Sequence, residues 1–530
     1  MPINRLKFRT STLWLLGAVV VCAVEIYAAG GRGFPPAPVD VSDDLHAAIG
    51  GDVQPDRAKS TPVHGKSPLD HRTTDVFLGD VGESTRCARS AILVLGNAGS
   101  VYDGEALVTL KATQVHIDET SSTSSPASSA VSVESGCRGP EPRPRTKRSP
   151  AFPPVSLVQP PVHQDSRRIY FLPTAINSVG NDTGHSAIPC RLRAENSRVR
   201  VYVDERLPRN ESLTALVNAV NEASTSRLGD IVHELVGSVC DLDQDGHLAV
   251  VLTPEVARLG RGRTPVDGLT SPADFLRGID RPFGNNSDVI FLSSHLQPGE
   301  QLRAVLAHEW CHASVFSRRA NESDARTEQT AVDDWLNEAL AHVVEVRASG
   351  SQSNLSHRID RYRSRPGDSP LVVRDYSQPD FWRHDGCRGA AYLFLQWCLD
   401  QSDDSLLERL VSGRSLGTDG LEAATGRSFD ALFLGWTTSL GQRLADESGG
   451  LGDSSTVHEA PASTVGLNHQ RWRLDESGEQ TLTLRIRGSC AEFVRIECAG
   501  ASTWRLSAVI TAGDPLQATL IPVDGSAGAK

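Results

Sequence analysis

The stretch Leu302-Arg303-Ala304-Val305-Leu306-Ala307-His308-Glu309-Trp310-Cys311-His312 decides how the rest of the chain is read. It is rich in good helix formers, so His308 and His312 fall four apart on one face of a predicted helix, one turn from each other. Two imidazoles at that separation can take adjacent positions on a tetrahedral zinc ion, with Zn–N bonds of about 2.0–2.1 Å. Glu309, next to the first histidine, can reach a water activated by the metal without ligating the metal, and so serve as general base. Alone, these residues also fit a polar helix face with two ordinary histidines and a salt-bridging glutamate. A third ligand weighs against that. Asp334-Trp335-Leu336-Asn337-Glu338-Ala339-Leu340-Ala341-His342 reads as a second helix and carries Glu338, 26 residues beyond His312. The polar segment Ser317 to Thr330 between them is long enough to reverse the chain. His308, His312 and Glu338 then form a three-ligand metal set that keeps a fourth position open, as a catalytic zinc site requires. Within the motif, Trp310 and Cys311 are expected to face the core behind the metal; a redox-sensitive thiol is the alternative for Cys311.

Upstream of the motif, Arg168–Leu172, Val199–Val203, Leu248–Thr253 and Asp288–Leu292 read as strands, and Asn210 to Ser238 has helical spacing. Downstream, Val332–Ala348, Arg388–Asp400, Leu406–Val411 and Phe429–Leu444 read as helices. Strands before helices predict an α+β catalytic domain over 196–448. Around it lie a β-rich N-terminal region over 75–195, with short apolar runs at Ala91–Leu95 and Ala106–Leu110, and a C-terminal β domain over 455–530. A Ser/Pro-rich segment, 119–161, interrupts the N-terminal region and cannot bury enough surface to fold; its basic run Arg143 to Arg148 reads as a solvated linker or a processing site.

The chain has 530 residues, enough for two or three domains, and a formal net charge of −12 with no dense Lys/Arg field, so nucleic acid is not an expected partner. Arg5, Lys7 and Arg9 precede an apolar run from Thr12 to Val24, too short for an ordinary membrane span of about 20 residues. Residues 1–29 are therefore expected to be a signal peptide, with an uncleaved N-terminal anchor as the alternative, followed by a Pro/Gly-rich spacer over 30–74. A secreted or extracytoplasmic location follows, with no other membrane association. Ten cysteines suit that compartment, and Cys490–Cys498, Cys387–Cys398 and Cys87–Cys137 are candidate pairs, although connectivity does not follow from sequence.

His308-Glu309-Trp310-Cys311-His312 followed by Trp335-Leu336-Asn337-Glu338-Ala339-Leu340-Ala341-His342 resembles the gluzincin class of metallopeptidases, and more closely the hyicolysin family of secreted bacterial neutral peptidases. The similar stretch runs from roughly Val199 to Trp397. The resemblance implies a thermolysin-like (zincin) fold, with a mixed sheet over a helical lobe and zinc in the cleft between. It also implies an endopeptidase acting on protein or peptide substrates, with His308, His312 and Glu338 as zinc ligands and Glu309 as catalytic base.

Two positions depart from the pattern. Aligning Arg388-Gly389 with the Lys-Gly of aminopeptidase-like relatives puts Gly386 where those enzymes carry an oxyanion-stabilising tyrosine; His384, Arg388 and Tyr392 are the local substitutes, with His384 preferred. Where thermolysin-like enzymes place an Asp one turn after the ligand Glu, this chain has His342, leaving Asp334 or Glu345 to orient a zinc histidine. These departures keep a second outcome open, a catalytically weak or inactive gluzincin-like extracytoplasmic binding module. A zinc hydrolase of non-peptide amides would use the same residues. Finally, Asp241, Asp243, Asp245 and Gly246 match the first half of an EF-hand loop, but Leu252 replaces its bidentate Glu. The segment is either a partial Ca2+ site or an Asp/Gly turn entering a strand.

Overall fold

The computed structural model describes residues 72–82, 90–99, 105–115, 167–174, 184–259, 266–276, 279–322, 333–376, 384–413, 415–448, 466–475, 478–499, 502–512 and 516–523. The expected signal peptide, nearly all of the spacer, the 119–161 segment with Arg143–Arg148, and the Cys87–Cys137 pair lie outside the described residues. Among the described residues no helix is long and apolar enough to cross a membrane.

Strands β1 (Arg72–Gly82), β2 (Ser90–Asn97) and β3 (Glu105–Val115) open the described chain. A six-stranded mixed sheet follows, built from β4 (Arg167–Pro173), β5 (His185–Glu195), β6 (Val199–Asp204), β7 (Leu248–Thr253), β8 (Gly268–Leu269) and β9 (Val289–Ser293) in the order β4-β5-β6-β7-β9-β8. β6, β7 and β9 run parallel, and β8 returns antiparallel along β9 as the edge. The parallel strands are continuous apolar runs because both of their faces are covered. Val250 and Ile290 pack on the helices while Val251 and Phe291 join the core on the other side.

Helices α1 (Glu211–Thr225) and α2 (Arg227–Val236) follow β6. They realise the helical spacing expected over Asn210–Ser238; the break between them falls at Ser226, whose hydroxyl caps α2 by accepting from Leu228 N. Short helices α3 (Glu255–Arg258) and α4 (Pro272–Phe275) flank β8. The helical lobe comprises α5 (Glu300–Glu322), α6 (Asp334–Ser349), α7 (Ser356–Ser364), α8 (Asp385–Asp400), α9 (Leu406–Val411), α10 (Thr418–Thr425) and α11 (Phe429–Ser448). At Gly389, α8 crosses α7 so closely that a Cβ would collide with the Arg358 main chain. The α+β class is therefore as expected.

The flanking β regions are divided differently from expectation. β10 (Gln470–Leu474), β11 (Glu479–Arg487), β12 (Cys490–Cys498), β13 (Thr503–Ala512) and β14 (Leu516–Val523) interleave with the N-terminal strands in two sheets, β1-β13-β3-β11 and β10-β12-β2-β14. One sandwich is thus assembled from both ends of the chain, with the helical and mixed-sheet part inserted between β3 and β10. The strands β4 and β5, expected with the N-terminal region, belong to the central sheet, and β1 starts at Arg72, inside the expected spacer. Alternating apolar residues reveal that a strand has a buried face but not which partner buries it. In β2 both faces are buried: Leu93 and Leu95 point into the sandwich, while Ile92 and Val94 join the core of the helical lobe.

The cysteine pairs also need correction. Cys490 and Cys498 are opposite ends of one nine-residue strand, and Cys387 and Cys398 lie eleven residues apart on α8. At about 3.3 Å per strand residue and 1.5 Å per helix residue, neither pair can approach the roughly 6 Å that a disulfide requires. All four are free thiols.

Because β2 separates β12 from β14 and β3 separates β13 from β11, residues 455–530 expressed alone should show no cooperative thermal transition by circular dichroism. Supplying 72–115 should restore one. A cooperative transition in the isolated segment would refute the joint sandwich.

Candidate metal centre

The site lies where α5 crosses α6. The sequence places His308, Glu309 and His312 mid-way along α5 and Glu338 in the second turn of α6, so antiparallel packing of the two helices brings them face to face. All are buried. Oε2 of Glu338 stands 3.6 Å from His308 Nε2, and its Oε1 stands 3.9 Å from His312 Nε2. The expected ligand trio is therefore one cluster.

The start of α6 is held from outside. Its first N–H groups have no partner within the helix. Asp334 N donates to Arg374 O and Trp335 N to Val373 O, while Tyr376 N donates to Asp334 Oδ2 at 2.8 Å. The same 371–376 segment is tied to the sandwich, where Leu371 N donates to Ser489 O and Val372 N to Ser489 Oγ. Asp334 thus serves the backbone of this segment, not a histidine. Glu345 takes the other role: its Oε2 accepts from His308 Nδ1 at 2.9 Å and from His342 Nδ1 at 3.0 Å.

Electrostatics follow from this packing. Burial takes the His312 pKa down to about 3 and that of His342 down to about 4. Burial acts on His308 as well, but Glu338 and Glu345 on either side raise it to about 9. Burial likewise opposes charge on Glu338, yet Arg388, with Nη1 3.4 Å from Oε2, and then His308 hold it well below the usual carboxylate range. The ring of His308 therefore lies where positive charge is favoured, and a divalent cation at its Nε2 would meet the same need.

The donor set fits such a cation. Two imidazole nitrogens face a carboxylate at 3.6 and 3.9 Å, close to the roughly 3.4 Å edge of a tetrahedron with zinc bonds of about 2.0–2.1 Å. His308 Nε2 is buried and makes no hydrogen bond of normal length among the described residues.

Glu309 is beside the trio and fully buried. Thr270 Oγ1 donates to its Oε2 at 2.7 Å, and the edge strand β8 passes so close that a Cβ at Gly268 would collide with the carboxylate. Neither residue belongs to a recognisable motif, and nothing in the sequence announces them. Arg388 stacks over the Tyr376 ring at 5.0 Å and faces Glu338, so these two also border the site. His384 precedes α8 with Nδ1 3.1 Å from Cys387 Sγ, and the charges around it are Arg361, Asp385, Asp368 and Arg487. Tyr392 is buried on α8 near Glu345 and Arg347. Cys311 faces the core and is fully buried, which pushes its thiol pKa far up and leaves it unreactive.

Asp241, Asp243 and Asp245 do bring three carboxylates together. The positive charge facing them comes from arginines: Arg168 bonds Asp243 at 2.7 Å and Asp245 at 2.8 Å, and Arg200 bonds Asp245 at 2.8 Å. Asp241 accepts from the N–H groups of Asp245 and Gly246, which makes the segment a tight turn into β7.

Compared with known proteins, the chain matches no family model and no curated protein.

Glu345→Ala removes the acceptor shared by two buried rings and should lower unfolding free energy by about 3 kcal/mol. Urea denaturation at pH 7 checks this. A loss below about 1 kcal/mol would show that the shared carboxylate does not hold the crossing.

Proposed function

We propose that this chain is a zinc-dependent endopeptidase of thermolysin-like architecture, exported from the cytoplasm and acting on proteins or peptides. The observation that carries this reading is the convergence of His308 and His312 on Glu338, with the carboxylate of Glu309 alongside. A binding site alone needs no such base. His308, His312 and Glu338 would hold the ion. When bound, zinc supplies Lewis acidity that makes water nucleophilic near neutral pH. Glu309 takes the proton of the attacking water and hands it to the leaving amine. Thr270 and the close passage of β8 fix the direction in which that carboxylate points. Arg388 is better situated than His384 to steady a developing oxyanion, because it faces Glu338 while His384 faces Cys387.

One observation favours the second reading, a catalytically weak or inactive gluzincin-like binding module. Glu309 is wholly buried and already engaged by Thr270. Activity measurements separate the two. In the peptidase reading, the zinc-loaded protein hydrolyses casein, and Glu309→Gln lowers kcat by about 10²–10⁴-fold with zinc stoichiometry unchanged. Stoichiometric zinc with no hydrolysis, or hydrolysis indifferent to Glu309→Gln, would favour the binding module or another chemistry.

Thr270→Val should lower kcat by roughly tenfold or more with KM little changed, since the base loses its orientation rather than its presence. Thr270→Ser should recover most of that loss. Equal activity of Val and wild type would remove Thr270 from the account.

A further inference from the structure

The His342 side chain has a role that the trio does not explain. It lies one turn beyond Glu338 on α6, so both side chains leave the helix on the same face. Its ring packs edge-on to His308, with centroids 4.7 Å apart. A neutral imidazole has one N–H and one lone pair. His342 spends its N–H at Nδ1 on Glu345, which as a carboxylate can only accept. The lone pair is therefore at Nε2, and this atom is buried with no hydrogen-bond partner among the described residues.

What Nε2 faces is another acceptor: Glu338 Oε2, at 4.0 Å. Arg388 Nη1, 3.4 Å from that oxygen, meets the charge of Glu338, whereas the buried lone pair of His342 Nε2 meets no donor among the described residues, an unfavourable state unless a cation completes it. The distance is informative too, since His312 Nε2 stands 3.9 Å from the other oxygen of the same carboxylate. His342 is thus as near to Glu338 as the second histidine of the motif is. Glu345 accepts from Nδ1 of both rings, and the Nε2 atoms of His308 and His342 stand 3.6 and 4.0 Å from the same Glu338 oxygen.

We propose that His342 is a fourth protein ligand of the metal, giving a centre of three imidazoles and one carboxylate. The proposal rests on the metal-centre reading above and changes it in one respect. A four-residue set leaves less of the ion open than the three-residue set of ordinary catalytic zinc sites, so turnover needs expansion to five-coordination. The role of Glu345 changes with it, from orienting one ligand to orienting two.

Proton NMR of the full chain loaded with one equivalent of Co2+ tests this. Each histidine bound through Nε2 keeps an N–H at Nδ1, and the paramagnetic ion shifts that proton far downfield, in a line that disappears in D2O. Three such lines are expected for wild type, and His342→Phe should leave two with Co2+ still bound. Two lines in wild type would overturn the proposal and leave the His308, His312 and Glu338 centre standing. Failure to bind Co2+ at all would overturn both. The wild-type count decides even where the Phe variant does not fold.

Discussion

One buried carboxylate governs the arrangement of this site. Glu345 accepts from His308 on α5 and from His342 on its own helix, through a single oxygen. An ionised carboxylate in an apolar interior is costly unless it is paired and hydrogen-bonded, so this group is tolerable only while both rings stay in place. The reverse also holds, because each ring is turned by the bond it gives. Helix crossing angle, ring orientation and the direction of both Nε2 atoms therefore stand or fall together. The cluster would be destabilising as a set of isolated charges. Linked across two helices, it specifies how they pack.

The rest of the molecule keeps that crossing from drifting. The central sheet covers one side of α5, and Gly268 of β8 and Thr270 just beyond it lie against the face that carries Glu309. The other end of the arrangement is reached through hydrogen bonds that begin in the sandwich. Ser489 holds 371–372, the segment continues to 373–376, and that stretch satisfies the first turn of α6. Four residues into the helix comes Glu338. A sandwich of the first and last described strands is in this way coupled to Glu338, a member of the group that could hold a metal. α11 adds a second contact, with Phe433 and Leu440 sharing a core with Ile92 and Val94 of β2.

The parts legible in the sequence were those governed by short-range spacing. Four residues between His308 and His312 fix a common helix face whatever surrounds them, and continuous apolar runs such as Leu248–Thr253 identify buried strands. Glu338 was legible because its helix pattern is strong and the intervening segment long enough to turn back. Pairing between distant strands was not legible. The apolar run in β2 shows burial on both faces without showing that β12 and β14 are its neighbours. Thr270 was beyond reach for a related reason: its bond to Glu309 spans 39 residues and depends on where an edge strand of two residues comes to lie. The helical spacing over Asn210–Ser238 was legible, but the division into two helices was not, since Ser226 caps a new helix without disturbing the apolar periodicity.

The pairing of His342 with Glu345 has a consistent physical logic. Position 342 carries an imidazole, and the carboxylate that supports His308 lies three residues further along, at Glu345, on the same helix face and within reach of His308 Nδ1. His308 keeps its acceptor, and a second ring in the same space shares it. The second ring keeps a buried Nε2 with no hydrogen-bond partner among the described residues, 4.0 Å from Glu338 Oε2. A purely structural histidine would be expected to satisfy both nitrogens in so buried a place. That one nitrogen is satisfied and the other is aimed at Glu338 is the arrangement expected of a ligand, in which one nitrogen is oriented by the protein and the other is kept for the metal.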